Sequence, residues 1–390
     1  MLGVVLFVVA ILTVVMIHEA GHFLVAKHFD FKATKFFVGF GPTVWSTQRG
    51  ETEYGIKALP LGGFVKIVGM NPYEDVAEAD RHRSYPNKPG WQRALVLVAG
   101  SATHFVVGFV LLFVAALAIG HPTLTPVVSG VTRTIEGVET PAARAGFRPG
   151  DRIVAVDGER TESWTDVRNA IRAQSDHVAS FVVERDGERR SVTAELGVAE
   201  FDAEGRPVDY VGPGGPAPRL EEGHTLAPFL GVAPSEASRR DDPLGALGYA
   251  GERTWHFTVQ SVTFIDDVFT MPFDDDFYAA FDRGAERGPE SGVGLVGGAR
   301  LAGQVVESGF WFGFLQMVVS FTIVVGVMNL LPLPPLDGGH LAVVAWESVT
   351  GRKVDVRKLI PVAAAVIAFF VVLFAAMLYL DIANPLQLPN

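Results

Sequence analysis

His18, Glu19 and His22 stand in the order H-E-x-x-H. On a helix, residues four apart lie within about 40° of one another, so both imidazoles can reach one ion. Imidazole nitrogens suit zinc, and a glutamate beside them can hold a water and act as general base. The motif is short and arises by chance in many chains. Its setting sharpens it, because all three residues fall inside an apolar run from Leu2 to Ala26. A charged group near the centre of a membrane helix costs roughly 2.5–3.5 kcal/mol on insertion scales. A chance occurrence would sit on a surface helix, where these side chains cost nothing.

A catalytic zinc needs a third protein ligand and an open position for water. The elements that must supply it are membrane spans. Four runs reach the roughly 20 apolar residues a bilayer requires: Leu2–Ala26, Ala94–Gly120, Phe310–Leu331 and Leu359–Leu380. The first and third cross in the same direction, so their C-terminal ends share one side. The third ends in Asn329-Leu-Leu-Pro332-Leu-Pro334-Pro335-Leu336-Asp337-Gly338-Gly339-His340. Three prolines in four residues end a regular helix, and backbone freed at membrane depth must be covered by protein or line a cavity. Asp337 is the expected third ligand and His340 the alternative. Asn329 is either a hydrogen-bond donor to substrate or a polar contact between helices. His104, in the second span, reads as a helix contact ahead of a zinc neighbour or proton relay.

The 390 residues are 49% hydrophobic and 19% charged, with a net charge of −11. Segregation into apolar spans and polar stretches reconciles the first two values. Cysteine is absent, which excludes disulfides, thiolate metal sites and a cysteine nucleophile. The first run is too long for a secretory signal and lacks a basic leader and a cleavage site. Lys27–Arg93 carries 10 basic residues against 7 acidic, and Pro332–Lys358 carries 4 basic residues. His121–Glu307 holds 18 arginines, no lysine and 31 acidic residues. Basic short loops stay cytoplasmic, so the long acidic segment and both chain ends are expected outside.

Within the first loop, Tyr54–Gly69 alternates apolar and polar residues around Pro60 and Gly62-Gly63, a hairpin pattern. An unpaired edge there could take an extended peptide as an added strand, which makes Gly62, Gly63 and Phe64 candidate substrate contacts. Asn71–Pro89 reads as a linker. In the long segment, Val128–Leu196 reads as a small β-rich domain. A short helix ends at Gly146, a helix is expected over Trp164–Ala173, and a hairpin crosses Asp186-Gly187. Ala199–Leu226 reads as a linker or extended insertion. Leu244–Thr270 reads as an interfacial helix on the outer membrane face or a core helix of a soluble part. Asp274–Asp276 reads as a solvated acidic loop.

Taken in order, these residues resemble the site-2 protease family of intramembrane zinc metalloproteases, and among them bacterial members with one external PDZ domain that cleave membrane-anchored anti-sigma factors. His18–His22 matches the family's first motif, Tyr54–Gly69 its membrane-associated β-loop, Gly100–Phe105 a second-span motif, Thr140–Gly158 a bacterial PDZ domain, and Asn329–Gly339 the N-x-x-P-x-x-x-L-D-G motif. The resemblance implies Zn2+ held by His18, His22 and Asp337, catalysis by Glu19, and a substrate-facing role around Asn329 and Pro332. It implies an active site toward the cytoplasmic half of the bilayer. Two stretches depart from the pattern. Gly100-Ser101-Ala102-Thr103-His104 stands for G-P-x-x-N, and Gly292-Val293-Gly294 lacks the proline of G-P-V-G. The carboxylate-binding loop of a PDZ domain should fall near Val127–Val131 and is weak, so a size filter is expected rather than a peptide binder.

The expected fold is a polytopic α-helical membrane protein of about four transmembrane helices, with a membrane-associated β-hairpin and an extracytoplasmic PDZ-like α+β domain. The expected divisions are 1–120, spans one and two with the β-loop; 121–197, PDZ-like; 198–309, extracytoplasmic linker and amphipathic region; and 310–390, spans three and four. The expected activity is zinc endopeptidase cleavage of transmembrane segments in regulated intramembrane proteolysis, at the inner or plasma membrane. The expected partners are membrane proteins such as anti-sigma factors, and the lipid bilayer, but not nucleic acid. The alternatives are an inactive membrane PDZ scaffold or chaperone, and a metal or proton transporter.

Overall fold

The structure is a computed structural model; it describes residues 1–71, 73–135, 137–174, 178–201, 207–212, 224–273, 278, 281 and 293–384. The chain first forms α1 (Leu2–His28), β1 (Ala33–Arg49), β2 (Thr52–Ile67) and α2 (Gly90–Ala118). Then come β3 (His121–Val131), β4 (Thr134–Ile135), β5 (Val138–Glu139), α3 (Pro141–Ala145), β6 (Arg152–Val156), β7 (Glu159–Arg160), α4 (Trp164–Arg172), β8 (Val178–Arg185) and β9 (Glu188–Glu195). Next are β10 (Gly197–Phe201), β11 (Pro207–Val211), β12 (Thr225–Phe229) and β13 (Val232–Arg239). Helices α5 (Pro243–Thr270), α6 (Leu295–Glu307), α7 (Trp311–Asn329), α8 (Asp337–Thr350) and α9 (Ile360–Ala383) end the chain. Two compact units result: Met1–Ile119 with Asp241–Asn390, and Gly120–Arg240.

In the first unit, four helices are long and apolar enough to cross a membrane: Leu2–His28, Gly90–Ala118, Trp311–Asn329 and Val356–Ala383. They coincide with the four apolar runs. Helix α5 packs along two of them. Its Ala250 and Phe257 are buried with Leu112 of α2 and Val319 and Ile323 of α7. At the far end, Asp381 of α9 accepts from the backbone N–H groups of Gly294 (3.2 Å) and Gly297 (2.7 Å), at the start of α6. A Cβ at either glycine would come within 2.6 Å of that carboxylate. This is the service done by the expected Gly292-Val293-Gly294 stretch, of which Gly292 lies outside the described residues, as does Asp274–Asp276.

Residues 54–69 do not pair with each other as a hairpin. Phe36, Phe37 and Val38 of β1 stand between Tyr54, Gly55 and Ile56 on one side and Val65, Phe64 and Gly63 on the other. The sequence expectation missed Ala33–Val38 because a short strand-like stretch does not say which partners it inserts between. The Asn71–Pro89 stretch is more ordered than a linker. It carries 3₁₀ turns at Glu78–Arg83 and Tyr85–Asn87, and Tyr85 is buried with Phe31. Glu51, at the β1–β2 turn, is gripped by Arg83 through two hydrogen bonds of 2.7 and 2.8 Å, and also by Lys27. Those contacts hold its carboxyl down to about 2.

The second unit is built on a sheet ordered β13-β3-β6-β8-β9, with β7 on β6, beside a three-stranded sheet ordered β11-β10-β12. Local chemistry sets its elements. Thr140 caps α3 and Gly146 ends it at φ 77°. Ser163 and Asp166 form a capping box on α4. Asp186 and Gly187, both at positive φ, turn β8 into β9. Val128, Ile153, Val156, Phe181, Val183 and Leu196 form the core. The described ends of the expected 199–226 linker are strands, because Ala199, Phe201 and Tyr210 bury one another. Val127–Val131 lies within strand β3 rather than in a loop.

Candidate metal centre

Helix α1 presents His18 and His22 one turn apart. Their Nε2 atoms are 3.0 Å from each other, and Asp337 Oδ2 lies 3.3 Å from the first and 3.2 Å from the second. These three are the group of His, Asp and Glu side chains, among the described residues, whose donor atoms converge within 4.8 Å. Asp337 reaches them because the proline-rich chain after α7 turns sharply into α8, of which Asp337 is the first residue. The turn is tight enough to require Gly338 and Gly339. A Cβ on the first would lie 2.2 Å from the Leu330 carbonyl oxygen, and on the second 2.4 Å from the Pro334 nitrogen. A carboxylate in the first turn also suits the positive end of the helix dipole.

Helix α2 seats the histidines. A Cβ at Gly100 would fall 2.2 Å from His22 Nε2, and one at Gly21 would fall 2.6 Å from the Ala99 carbonyl oxygen. Small residues of this kind let two membrane helices touch at the backbone. That contact lets His22 Nδ1–H donate to the Val96 carbonyl at 2.7 Å. A carbonyl can only accept, so Nδ1 carries a proton, and in the neutral ring the Nε2 lone pair faces the cluster. His18 Nδ1 is 3.0 Å from Nε2 of His104, which is 1% exposed. His104 is thus a contact between helices, made directly to a member of the cluster.

Glu19 is held by the sheet. Its Oε2 accepts from the Val65 backbone N–H at 3.0 Å. Gly63 abuts α1 so closely that a Cβ would lie 2.6 Å from Met16 Sδ, and the Cβ of a residue at Gly62 would lie 3.9 Å from Val15 Cγ1. Phe64 stacks on Phe37 with centroids 5.6 Å apart. Gly62 and Gly63 are therefore brought to the motif helix, whereas Phe64 packs within the sheet. Asn329 is the half-buried last residue of α7, and Pro332 is exposed just after it. His340 does not join the cluster. It lines a separate cavity of about 240 Å³ with Met70, Tyr73, Pro334, Pro335 and Leu359. Three residues past Asp337 on a helix, it faces about 60° away.

Two imidazole nitrogens and one carboxylate oxygen, converging in a space that even a methyl group on Gly100 would fill, fit a divalent cation with a fourth position left open. The signals missing from the sequence reading are the Val65 contact and the glycine seats. Both depend on backbone approach, which a side-chain pattern does not carry.

The model of peptidase family M50 matches residues 6–374. The chain is 32% identical to zinc metalloprotease Rip1 of Mycobacterium tuberculosis (strain H37Rv), over 99% of this chain and 98% of that protein. It is 28% identical to zinc metalloprotease RasP of Geobacillus kaustophilus, over 91% and 92%, and 31% identical to a putative zinc metalloprotease of Brucella suis, over 90% and 86%. The match runs from the first apolar helix into the last and takes in both halves of the cluster: this chain belongs to peptidase family M50, the site-2 protease family.

Proposed function

We propose that the chain is an intramembrane zinc endopeptidase that hydrolyses a peptide bond in or near the transmembrane helix of another membrane protein. The observation that carries this reading is Asp337 Oδ2 standing within 3.3 Å of both His18 and His22, from a helix more than 300 residues further along the chain. His18, His22 and Asp337 hold the metal. Zinc, when bound there, lowers the pKa of a water and polarises the scissile carbonyl. Glu19 takes the proton of the attacking water and delivers it to the leaving amide nitrogen. The Val65 N–H keeps the Glu19 carboxylate oriented for that transfer. A helix hides its peptide bonds, so the substrate must be extended locally. The strand carrying Gly62, Gly63 and Phe64, whose two glycines lie against α1, would offer the edge on which it is held, and Asn329 and Pro332 would contact it from the end of α7.

The charge distribution of the loops supports a catalytic side toward the cytoplasm, with unit Gly120–Arg240 outside. That unit acts as a PDZ-like filter that excludes substrates with bulky external domains. Membrane-anchored regulators such as anti-sigma factors, already trimmed outside, are the substrate class the resemblance favours. The test follows membrane-anchored regulators by immunoblot in cells carrying the wild-type chain or Glu19→Gln. Loss of the base should slow cleavage by about 10²–10⁴-fold, and a truncated, membrane-embedded precursor should accumulate. Unchanged cleavage by Glu19→Gln would sink the mechanism.

A further inference from the structure

We propose that His104 is a positioning residue, whose Nε2 accepts the Nδ1–H of His18 and so holds His18 with its own Nε2 free for the metal. The inference rests on the reading of His18 as a ligand. A neutral imidazole has one proton, and the hydrogen bond made by the non-ligating nitrogen decides where it sits. His22 meets this need with a backbone carbonyl, that of Val96. His18 meets it with a side chain, because its Nδ1 lies 3.0 Å from His104 Nε2. If His18 Nε2 keeps its lone pair, Nδ1 carries the proton and His104 Nε2 must be the acceptor.

Burial and packing hold the His104 ring beside His18. It is 1% exposed, and its ring centroid is 5.0 Å from that of His18. Helix α7 makes room for it with a glycine: a Cβ at Gly326 would come within 2.7 Å of His104 Cβ. Three helices thus converge on one hydrogen bond, α1 giving His18, α2 giving His104 and α7 closing the back. A side chain that only filled space here would need no acceptor atom aimed at His18.

The experiment measures zinc affinity of the full-length protein in detergent micelles, by competition with a chelator of known affinity. It compares wild type with His104→Leu, His104→Phe and His104→Gln. Leucine and phenylalanine fill the ring's volume without an acceptor, whereas glutamine carries an amide oxygen near the place of Nε2. The acceptor-free variants should bind zinc about 10–100-fold more weakly, and the glutamine variant should recover to within about threefold of wild type. Thermal unfolding without metal identifies the variants that fold, and either acceptor-free variant suffices for the comparison. Equal affinity of the glutamine variant and a folded acceptor-free variant, whether both strong or both weak, overturns the proposal. Failure of the wild-type chain to bind zinc would instead overturn the assignment of His18 as a ligand.

Discussion

Two carboxylates, one in each compact unit, are withdrawn from water in different company. Asp151, 0% exposed in the second unit, accepts from Arg185 Nε at 2.6 Å, Arg185 Nη2 at 2.7 Å and the Arg148 N–H at 2.8 Å. Burial alone would push its carboxyl up, but the Arg185 guanidinium and the Arg148 N–H together outweigh that and hold it below the usual carboxylate range. Its charge is balanced from within the chain. Asp337, in the membrane unit, instead faces two imidazole nitrogens at 3.2–3.3 Å. One of these, on His22, presents a lone pair when the ring is neutral, because its other nitrogen donates to Val96. Oxygen and nitrogen lone pairs at that distance are stable neighbours when a cation stands between them. Burial of an acid is therefore no mark of function; what marks it is a set of neighbours that leaves the charge for something else to balance.

The comparison breaks first, and hardest, at Asp337. Asp337→Asn should weaken zinc binding by more than about 100-fold, since even supporting contacts around a metal are worth 10–100-fold. Proteolysis should fall to background, while the metal-free protein unfolds at the wild-type temperature. Metal analysis and a melting curve on one preparation test both halves.

Asp151→Asn should do the reverse. Leaving Arg185 without its partner should destabilise the second unit by about 3–5 kcal/mol, with zinc stoichiometry unchanged. Hydrogen exchange at β6 and β8 in the full-length chain reads the loss. The wild-type pair also sets a pH dependence. A carboxyl held below its unfolded value stabilises the fold above about pH 4, and that contribution is lost as pH falls through the lower, folded value. Exchange at β6 and β8 should accelerate in acid, and the Asp151→Asn variant should lack that part of the acceleration.

The smallest effect is expected at Glu51, whose carboxyl is held down to about 2 by Arg83 and Lys27 at the β1–β2 turn. The site is partly solvated, so Glu51→Gln should cost roughly 1 kcal/mol. The loss should appear as faster exchange around Gly50 and Thr52. A loss as large as that at Asp151 would mean that the graded contrast between solvated and buried pairs does not hold in this chain.

The two halves of the cluster were legible because each announces itself in local sequence. H-E-x-x-H states its own geometry once a helix is granted, and three prolines before Leu336-Asp337 mark a break that topology puts on the same side. Caps and turns of the second unit, such as Ser163-x-x-Asp166 and Asp186-Gly187, are equally local. What was not legible depends on one backbone meeting another. Ala33–Val38 slips between two stretches that alternation alone would pair. Glu19 finds its partner in the main chain of Val65, where side-chain identity gives no clue. Residues 243–270 have the apolar spacing of an amphipathic helix, but nothing in that spacing says that Ala250 and Phe257 are the positions that pack on two other helices.

The crossing of α1 and α2 at Gly21 and Gly100 also governs traffic. With no room for a methyl group between Gly21 and the Ala99 carbonyl, or between Gly100 and His22, that seam is closed to lipid tails and to water alike. The two glycines therefore do more than seat the histidines: they close this flank of the cluster.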